Sequence, residues 1–323
     1  MSAYISKWGA FMRVCIAPEH SLIKAELSLK LIESGLYKLH SSFEKGFNLF
    51  CTASKEELMR QYCLDEAEAR LYAHSLIWVH RRSKLSSYLA LAAQSLIWDD
   101  KDVSARYLEE ELSDKTIQFE LPDSMQMKSF VEPLPKLKFF DLSLQEQEQI
   151  CTYHKLLKDE ADKKELSTQA CAQQEDRLER ASVIKKLIQS AYTQDDKTIQ
   201  KLLEHYLGWG QGLTPSFDDA LCGALALLCA AQSPAFLRIS KFLRPELLSS
   251  CTTTISASYL SLASAACFSR ALSHVLSAYS GALNYKALDE LCSLGHSSGR
   301  DTLEGVIVAA EELLSIGGYC VNR

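Results

Sequence analysis

The sequence predicts an α+β protein: a strand-rich mixed domain over residues 1–135, then a mainly α-helical domain over 136–323 that carries two glycine-turn motifs. Three observations predict this. Short stretches of the first part alternate apolar and polar residues at a period of two, the mark of half-buried strands. Pro122, Pro133 and Pro135 cluster where the composition changes, so 122–141 reads as the connection between domains. From Ser143 onward the chain is rich in Glu, Lys, Gln and Leu, with helical spacing of its apolar residues. A length of 323 residues suits two domains and a sizeable core.

In the first domain, Leu27, Leu29 and Leu31 alternate with Ser28 and Lys30, and Tyr37, Leu39, Ser41 and Phe43 alternate with Lys38, His40 and Ser42. Ile117, Phe119 and Leu121 alternate with Gln118 and Glu120 until Pro122 ends the run. Helical pieces are expected around 55–70, and Ser86–Trp98 is apolar without a clear period. In the second domain, Leu144, Ile150, Leu156 and Leu157 give a patchy apolar face to 143–190, whose charges form a solvated one. Helices then follow at 195–207, 216–231, 235–248, 254–265, 267–280, 285–294 and 299–315, with Thr252–Thr254 available to cap the fourth.

The stretch Gly208-Trp-Gly-Gln-Gly-Leu-Thr-Pro-Ser-Phe-Asp-Asp219 holds the strongest local signal. Its three alternating glycines free the backbone for left-handed conformations. It leads into the apolar helix Ala220–Ala231, with Thr214 as N-cap before Pro215, or Ser216 as N-cap with Asp219 three residues on. The pattern Ser216-x-x-Asp219-x-Leu221-x-Gly223 recurs as Ser298-x-x-Asp301-x-Leu303-x-Gly305, after the turn Gly295-His296-Ser297-Ser298-Gly299. Two readings stand side by side. Both are ordinary capped helices whose glycines permit close packing, or both N-termini face one anionic ligand with unpaired N–H groups. His296, Ser297 and Arg300 favour the second, because a simple turn does not require them.

Composition removes other classes. A net charge of −6, without a basic stripe, argues against nucleic-acid binding. The longest apolar run, near 220–231, is too short to cross a bilayer, and no charged-then-apolar leader opens the chain, so a cytoplasmic protein is expected. The eleven cysteines are odd in number and lack Cys-x-x-Cys spacing, which disfavours a zinc ribbon or a disulfide framework. No lysine follows the glycines as a phosphate-binding Walker loop requires.

Three ordered motifs resemble one bacterial family. They are Gly210-x-Gly212-Leu-Thr-Pro-Ser-x-Asp218-Asp219, then Thr253-x-Ile255-Ser-Ala-x-Tyr259-Leu260, then Gly295-His-Ser-Ser-Gly299-x-Asp301-x-Leu303-x-Gly305. With them, His40–Leu49 is similar to the early segment of the family that includes the AllH-type subunit of oxamate carbamoyltransferase. That family usually carries glycine where this chain has Phe217, a bulky residue expected to narrow the pocket. The resemblance implies a place in allantoin breakdown, where oxalurate and phosphate give oxamate and carbamoyl phosphate. It also implies a hetero-oligomer with other carbamoyltransferase subunits.

The residues suit that chemistry. An anion such as phosphate, carbamoyl phosphate or oxamate is expected to meet Gly210, Gly212, Thr214, Ser216, Thr253, Ser297, Ser298 and Gly299. His296 is the candidate for proton transfer, against a turn histidine bonded to backbone. Asp219 and Asp301 fit capping boxes, and a pair of the acids could instead hold a divalent cation such as Mg, the one cofactor the residues suggest. Asp218 has no capping role and is the candidate catalytic carboxylate. Arg300 reads as a surface residue. The runner-up function is a non-catalytic metabolite-binding or scaffolding subunit.

Overall fold

A computed structural model describes residues 134–165, 171–280 and 284–318, and shorter pieces between 31 and 129 (31, 34, 36–43, 46–66, 69, 72–73, 76–81, 94–98 and 126–129). Helix dominates these residues. The chain forms two compact units, one of Ala17–Val131 and one containing Glu132–Arg323.

The first unit contains a small sheet. Strand β1 (Tyr37–Phe43) pairs antiparallel with β2 (Gly46–Cys51), from Tyr37 opposite Cys51 to Phe43 opposite Gly46, with a register shift between Leu39 and Ser41. Strand β3 (Leu76–Arg81) lies antiparallel to β2, β4 (Gln94–Trp98) parallel to β3, and β5 (Gln126–Ser129) antiparallel to β4. The alternation over 37–43 falls on a strand, with Tyr37 buried and Lys38 exposed. Helix α1 (Lys55–Tyr62) lies where a helical piece was expected, and the Ser54 hydroxyl caps it by accepting from Glu57 N–H. Leu31 corrects the expectation of a strand over 27–31, because it is helical. Residues 27–30 and 117–121 lie outside the described residues.

The second unit is built of helices. They are α2 (Leu144–Glu165), α3 (Cys171–Tyr192), α4 (Asp196–Tyr206), α5 (Ser216–Ala230), α6 (Pro234–Ser240), α7 (Pro245–Cys251), α8 (Thr254–Ser264), α9 (Arg270–Leu276), α10 (Tyr285–Cys292) and α11 (Ser298–Ile316). One expected helix, 235–248, is two. Pro245 lacks an N–H and disfavours helical geometry at Arg244, so the chain breaks there and restarts with Pro245 in the first turn.

Helices α5 and α11 are the centre. α5 is apolar all round and buried from Phe217 to Ala230 except at Cys222, as such a helix must be. α11 is buried almost throughout as well, although it carries Asp301, Glu304 and Glu312. The two cross where their seventh-position glycines lie. A Cβ on Gly223 would sit 1.9 Å from the Thr302 carbonyl oxygen, and one on Gly305 would sit 1.8 Å from that of Ala220. The contact is reciprocal: each helix sets its glycine against the other's backbone. The repeated pattern in the sequence is thus one close-packed pair.

Polar residues join α3 to α11. Arg180 donates to Asp301 and Glu304, Lys185 to Glu311, and Gln189 to Glu312, so the pairings ascend together and the two helices run in the same direction. From α2, Lys158 also donates to Glu311, and buried His154 lies 3.3 Å from the Tyr279 hydroxyl and 3.7 Å from Glu311. These bonds hold the Glu311 carboxyl far below the usual range. The expectation that 143–190 turns its charges to solvent holds for Lys155, Lys158, Asp159, Glu175, Asp176, Glu179 and Lys186 and fails at Arg180, which is buried with His154, while Leu144 and Leu156 of the expected apolar face are exposed.

Candidate functional site

The bend from Gly208 to Pro215 takes left-handed φ at Gly208, Gly210 and Gly212, which an L side chain would resist. Two anchors outside the bend hold it. Gly208 N–H donates to Asp218 Oδ1 at 3.0 Å, and the Thr253 hydroxyl donates to Leu213 O at 2.5 Å. Thr252 donates to the other oxygen of Asp218. Thr253 also caps α8, as expected of 252–254, by accepting from Ser256 N–H. The second bend, Gly295–Ser297, turns with Gly295 at φ 58°.

The two bends meet. Thr214 Oγ1 and Ser298 Oγ lie 2.7 Å apart, and both are buried. Beside them Asp219 is 4% exposed. Burial holds its carboxyl well above the ordinary range, the charge of Asp301 adds to the rise, and the hydroxyls of Ser298 and Thr214 oppose it. Neither serine of the repeat is a cap. Ser216 and Ser298 are the first residues of their helices, and the preceding Pro215 and Ser297 make no side-chain capping bond. The expected capping boxes at Asp219 and Asp301 are therefore replaced by contacts between the two helices.

Several N–H groups of the two helix starts are engaged within the chain. Phe217 N–H donates to Trp209 O, Asp218 and Asp219 N–H to Pro215 O, Gly299 N–H to Leu294 O, and Arg300 and Asp301 N–H to Ser297 O.

A cavity of about 650 Å³ opens beside the two bends. The first bend gives it Trp209, Gly210, Gln211, Gly212 and Ser216; the second gives it His296, Ser297 and Arg300. α11 adds Asp301 and Glu304, and α3 adds Asp176, Arg177 and Arg180. The Arg180 side chain is 10% exposed, and its Nη2 donates to Glu304 Oε2 at 2.7 Å and to Asp301 Oδ1 at 3.2 Å. Burial raises the carboxyls of both Asp301 and Glu304, with Arg180 opposing the rise in each. Arg177 donates to Asp162 of α2, and Arg300 donates to the carbonyl of His296 at 2.7 Å.

Of the residues expected at the site, Gly210, Gly212, Ser216, His296, Ser297 and Asp301 line this cavity. Thr214 and Ser298 hold the helix starts to each other, Thr253 holds the first bend, and Gly299 packs against the Leu291 carbonyl, where a Cβ would come within 1.8 Å. Asp218, the candidate catalytic carboxylate, is 2% exposed, and its oxygens accept from Gly208 N–H and the Thr252 hydroxyl, which makes it an anchor of the bend. Phe217 does not narrow the cavity. It is fully buried on the other side of the first turn, with its ring 5.6 Å from that of Tyr206. Arg300, read as a surface residue, is half-buried in the lining.

Sequence reasoning missed Arg177, Arg180, Trp209 and Glu304. A signal existed for one of them. Arg180 precedes Val183, Ile184, Leu187, Ile188 and Ala191 at helical spacing, an arginine in register with a buried stripe. Among the described residues no three His, Cys, Asp or Glu side chains come together to hold a metal. Nor is any helix among them long and apolar enough to cross a membrane.

The cavity thus brings three arginines and a histidine together with three carboxylates, Asp176, Asp301 and Glu304. The family model for the oxamate carbamoyltransferase subunit AllH matches residues 206–310, which include both bends, α5 and most of α11. The chain is similar to that family over this segment. No solved structure matches the chain.

Proposed function

We propose that the chain is a subunit of a carbamoyltransferase of the oxamate type and that the cavity beside the two bends holds its anionic reactant. One observation carries the reading: the segment similar to the AllH family supplies both bends, and these share their cavity with Arg177 and Arg180. Oxalurate, oxamate, phosphate and carbamoyl phosphate all carry a charged oxygen group that a guanidinium binds in paired hydrogen bonds. In the transfer, the carbamoyl carbon leaves the oxamate nitrogen for a phosphate oxygen through a tetrahedral intermediate. Arginine and serine donors fixed in a partly dry cavity stabilise the developing oxyanion. His296, exposed in the lining, gives the departing nitrogen its proton.

A second reading is favoured by the engagement of Asp218. With that carboxylate committed to the bend, the candidate catalytic acid serves the fold, and the chain then binds the metabolite while another subunit supplies the chemistry. Two measurements separate the readings. Phosphate, carbamoyl phosphate, oxamate and oxalurate are screened for a rise in melting temperature, which a ligand of the folded state produces by mass action. His296→Ala is then assayed in the reconstituted assembly. Binding retained with turnover lost supports catalysis here, both retained supports the binding subunit, and no melting shift with any of the four ends the anion-site reading.

A further inference from the structure

We propose that Arg180 is the residue that takes the anion, and that Glu304 releases it by accepting a proton from solvent, so that anion binding is coupled to the uptake of one proton. The inference rests on the anion-site reading above and adds to it a particular residue pair and a proton.

Arg180 is held ready rather than used up. Its position on the buried stripe of α3 draws its guanidinium inward to the cavity. Its bonds to Asp301 and Glu304 both leave from Nη2, and its buried Nε has no hydrogen-bond partner among the described residues. A guanidinium has five N–H donors in a planar fork, so most of its recognition capacity is open. Glu304 is 7% exposed, and while its Oε2 takes the Arg180 bond, its Oε1 has no hydrogen-bond partner among the described residues.

The local charge is already in excess on the negative side. Asp301 and Glu304 face one guanidinium at a place where water is largely excluded. An arriving anion adds a third negative group to Arg180, and in a low-dielectric setting such crowding is relieved by protonation. Glu304 is the group that yields. Asp301 also has the hydroxyls of Ser297 and Ser216 favouring its charged form. Glu304 is favoured by Arg180 and, at longer range, Arg177. Asp301 Oδ2 and Glu304 Oε1 both lack a hydrogen-bond partner among the described residues, but Glu304 makes the closer bond to Arg180, 2.7 Å against 3.2 Å, so once the anion draws on Arg180 it is Glu304 that loses its main support and carries the proton on Oε1. The other charged groups around it are Asp176 and Arg177 from α3, Asp162 of α2 bonded to Arg177, Asp219 from α5, Arg300 and Asp301 on its own helix, and His296 in the preceding bend. His296 is the alternative proton acceptor, and the test must separate it.

Titration calorimetry of the full-length protein with oxamate and with sulfate, in buffers of different ionisation heat, reads the protons directly. Both probes stay ionised from about pH 6 to 8, as a strong carboxyl does. The expected result is close to one proton taken up per anion, with affinity rising by up to about tenfold for each unit the pH falls. Glu304→Gln keeps binding and loses both the uptake and the pH dependence. His296→Gln keeps the uptake. Binding without proton uptake in the wild type, uptake that survives Glu304→Gln, or uptake lost in His296→Gln overturns the inference and leaves the anion site standing. If Glu304→Gln does not fold, the wild type and His296→Gln still decide. Absence of binding by both probes overturns the anion site and this inference together.

Discussion

Replacing Gly223 by alanine adds one methyl group at the crossing of α5 and α11. The new Cβ would lie 1.9 Å from the carbonyl oxygen of Thr302, whereas ordinary contact begins at 3.4 Å. The helices must therefore part by about 1.5 Å, because the opposing atom is main chain and cannot rotate aside. A radial gap of only ~0.5–1 Å already forfeits a quarter to a half of the dispersion attraction across a packed surface. Overpacking of this kind typically costs about 1–3 kcal/mol. Alanine regains about 1 kcal/mol of helix propensity over glycine. A clash against rigid backbone belongs at the upper end, so the net loss is about 2 kcal/mol. Gly305→Ala meets Ala220 O at 1.8 Å across the same crossing and should cost a similar amount. One parting of the helices serves both methyls, so the double variant should cost clearly less than the sum of the two. Urea unfolding followed by circular dichroism measures all three. A Gly223→Ala variant within about 0.5 kcal/mol of wild type, the range of an ordinary surface change, would refute the close-contact account.

Other perturbations test the site. Asp218→Ala removes the acceptor for Gly208 N–H and Thr252, and should cost about 1–3 kcal/mol and speed amide exchange in 208–215; unchanged exchange there would dismiss the anchor. Arg180→Ala strands two buried carboxylates and should cost about 3–5 kcal/mol at neutral pH, with the loss shrinking in acid as they protonate; a loss that does not depend on pH speaks against the pairing. The folded-state pKa of Asp219 is raised, so the folded protein holds that proton more firmly than the unfolded chain. Its contribution is greatest below about pH 4, where an unfolded aspartate titrates, and is lost as pH rises through the folded value. The stability difference between wild type and Asp219→Asn should therefore shift in favour of the variant across that window, and a difference flat with pH would contradict it.

Much of the helical unit was legible because its signals are local. Alternating glycines announced the first bend, the small-residue apolar run announced a helix buried on all sides, and the repeated Ser-x-x-Asp-x-Leu-x-Gly announced a related pair. The juxtaposition of the bends followed from that repeat. What was not legible depends on partners far away in sequence. Asp218 reads as a spare carboxylate until Thr252 is placed against it, and the N–H groups of both helix starts read as open until the carbonyls of Trp209, Leu294 and Ser297 turn toward them. Arg180 sits in a stretch whose composition is that of a solvated helix, and only its register with Val183 and Leu187 separates it from its neighbours. The break at Pro245 was legible in principle, since proline was present in the sequence and simply outweighed by the flanking apolar residues.

The mirrored helix starts have parted company in chemistry while keeping their geometry. Asp219 and Asp301 occupy matching places, yet one is enclosed by threonine and serine hydroxyls and the other meets an arginine at the cavity wall. A symmetric frame with unlike occupants gives the molecule a spare: the enclosed half can carry the mechanical load of the crossing, so the half at the wall is free to exchange its side-chain contacts without loosening the frame. Substitutions that alter ligand preference should accordingly accumulate around Asp301 and not around its twin.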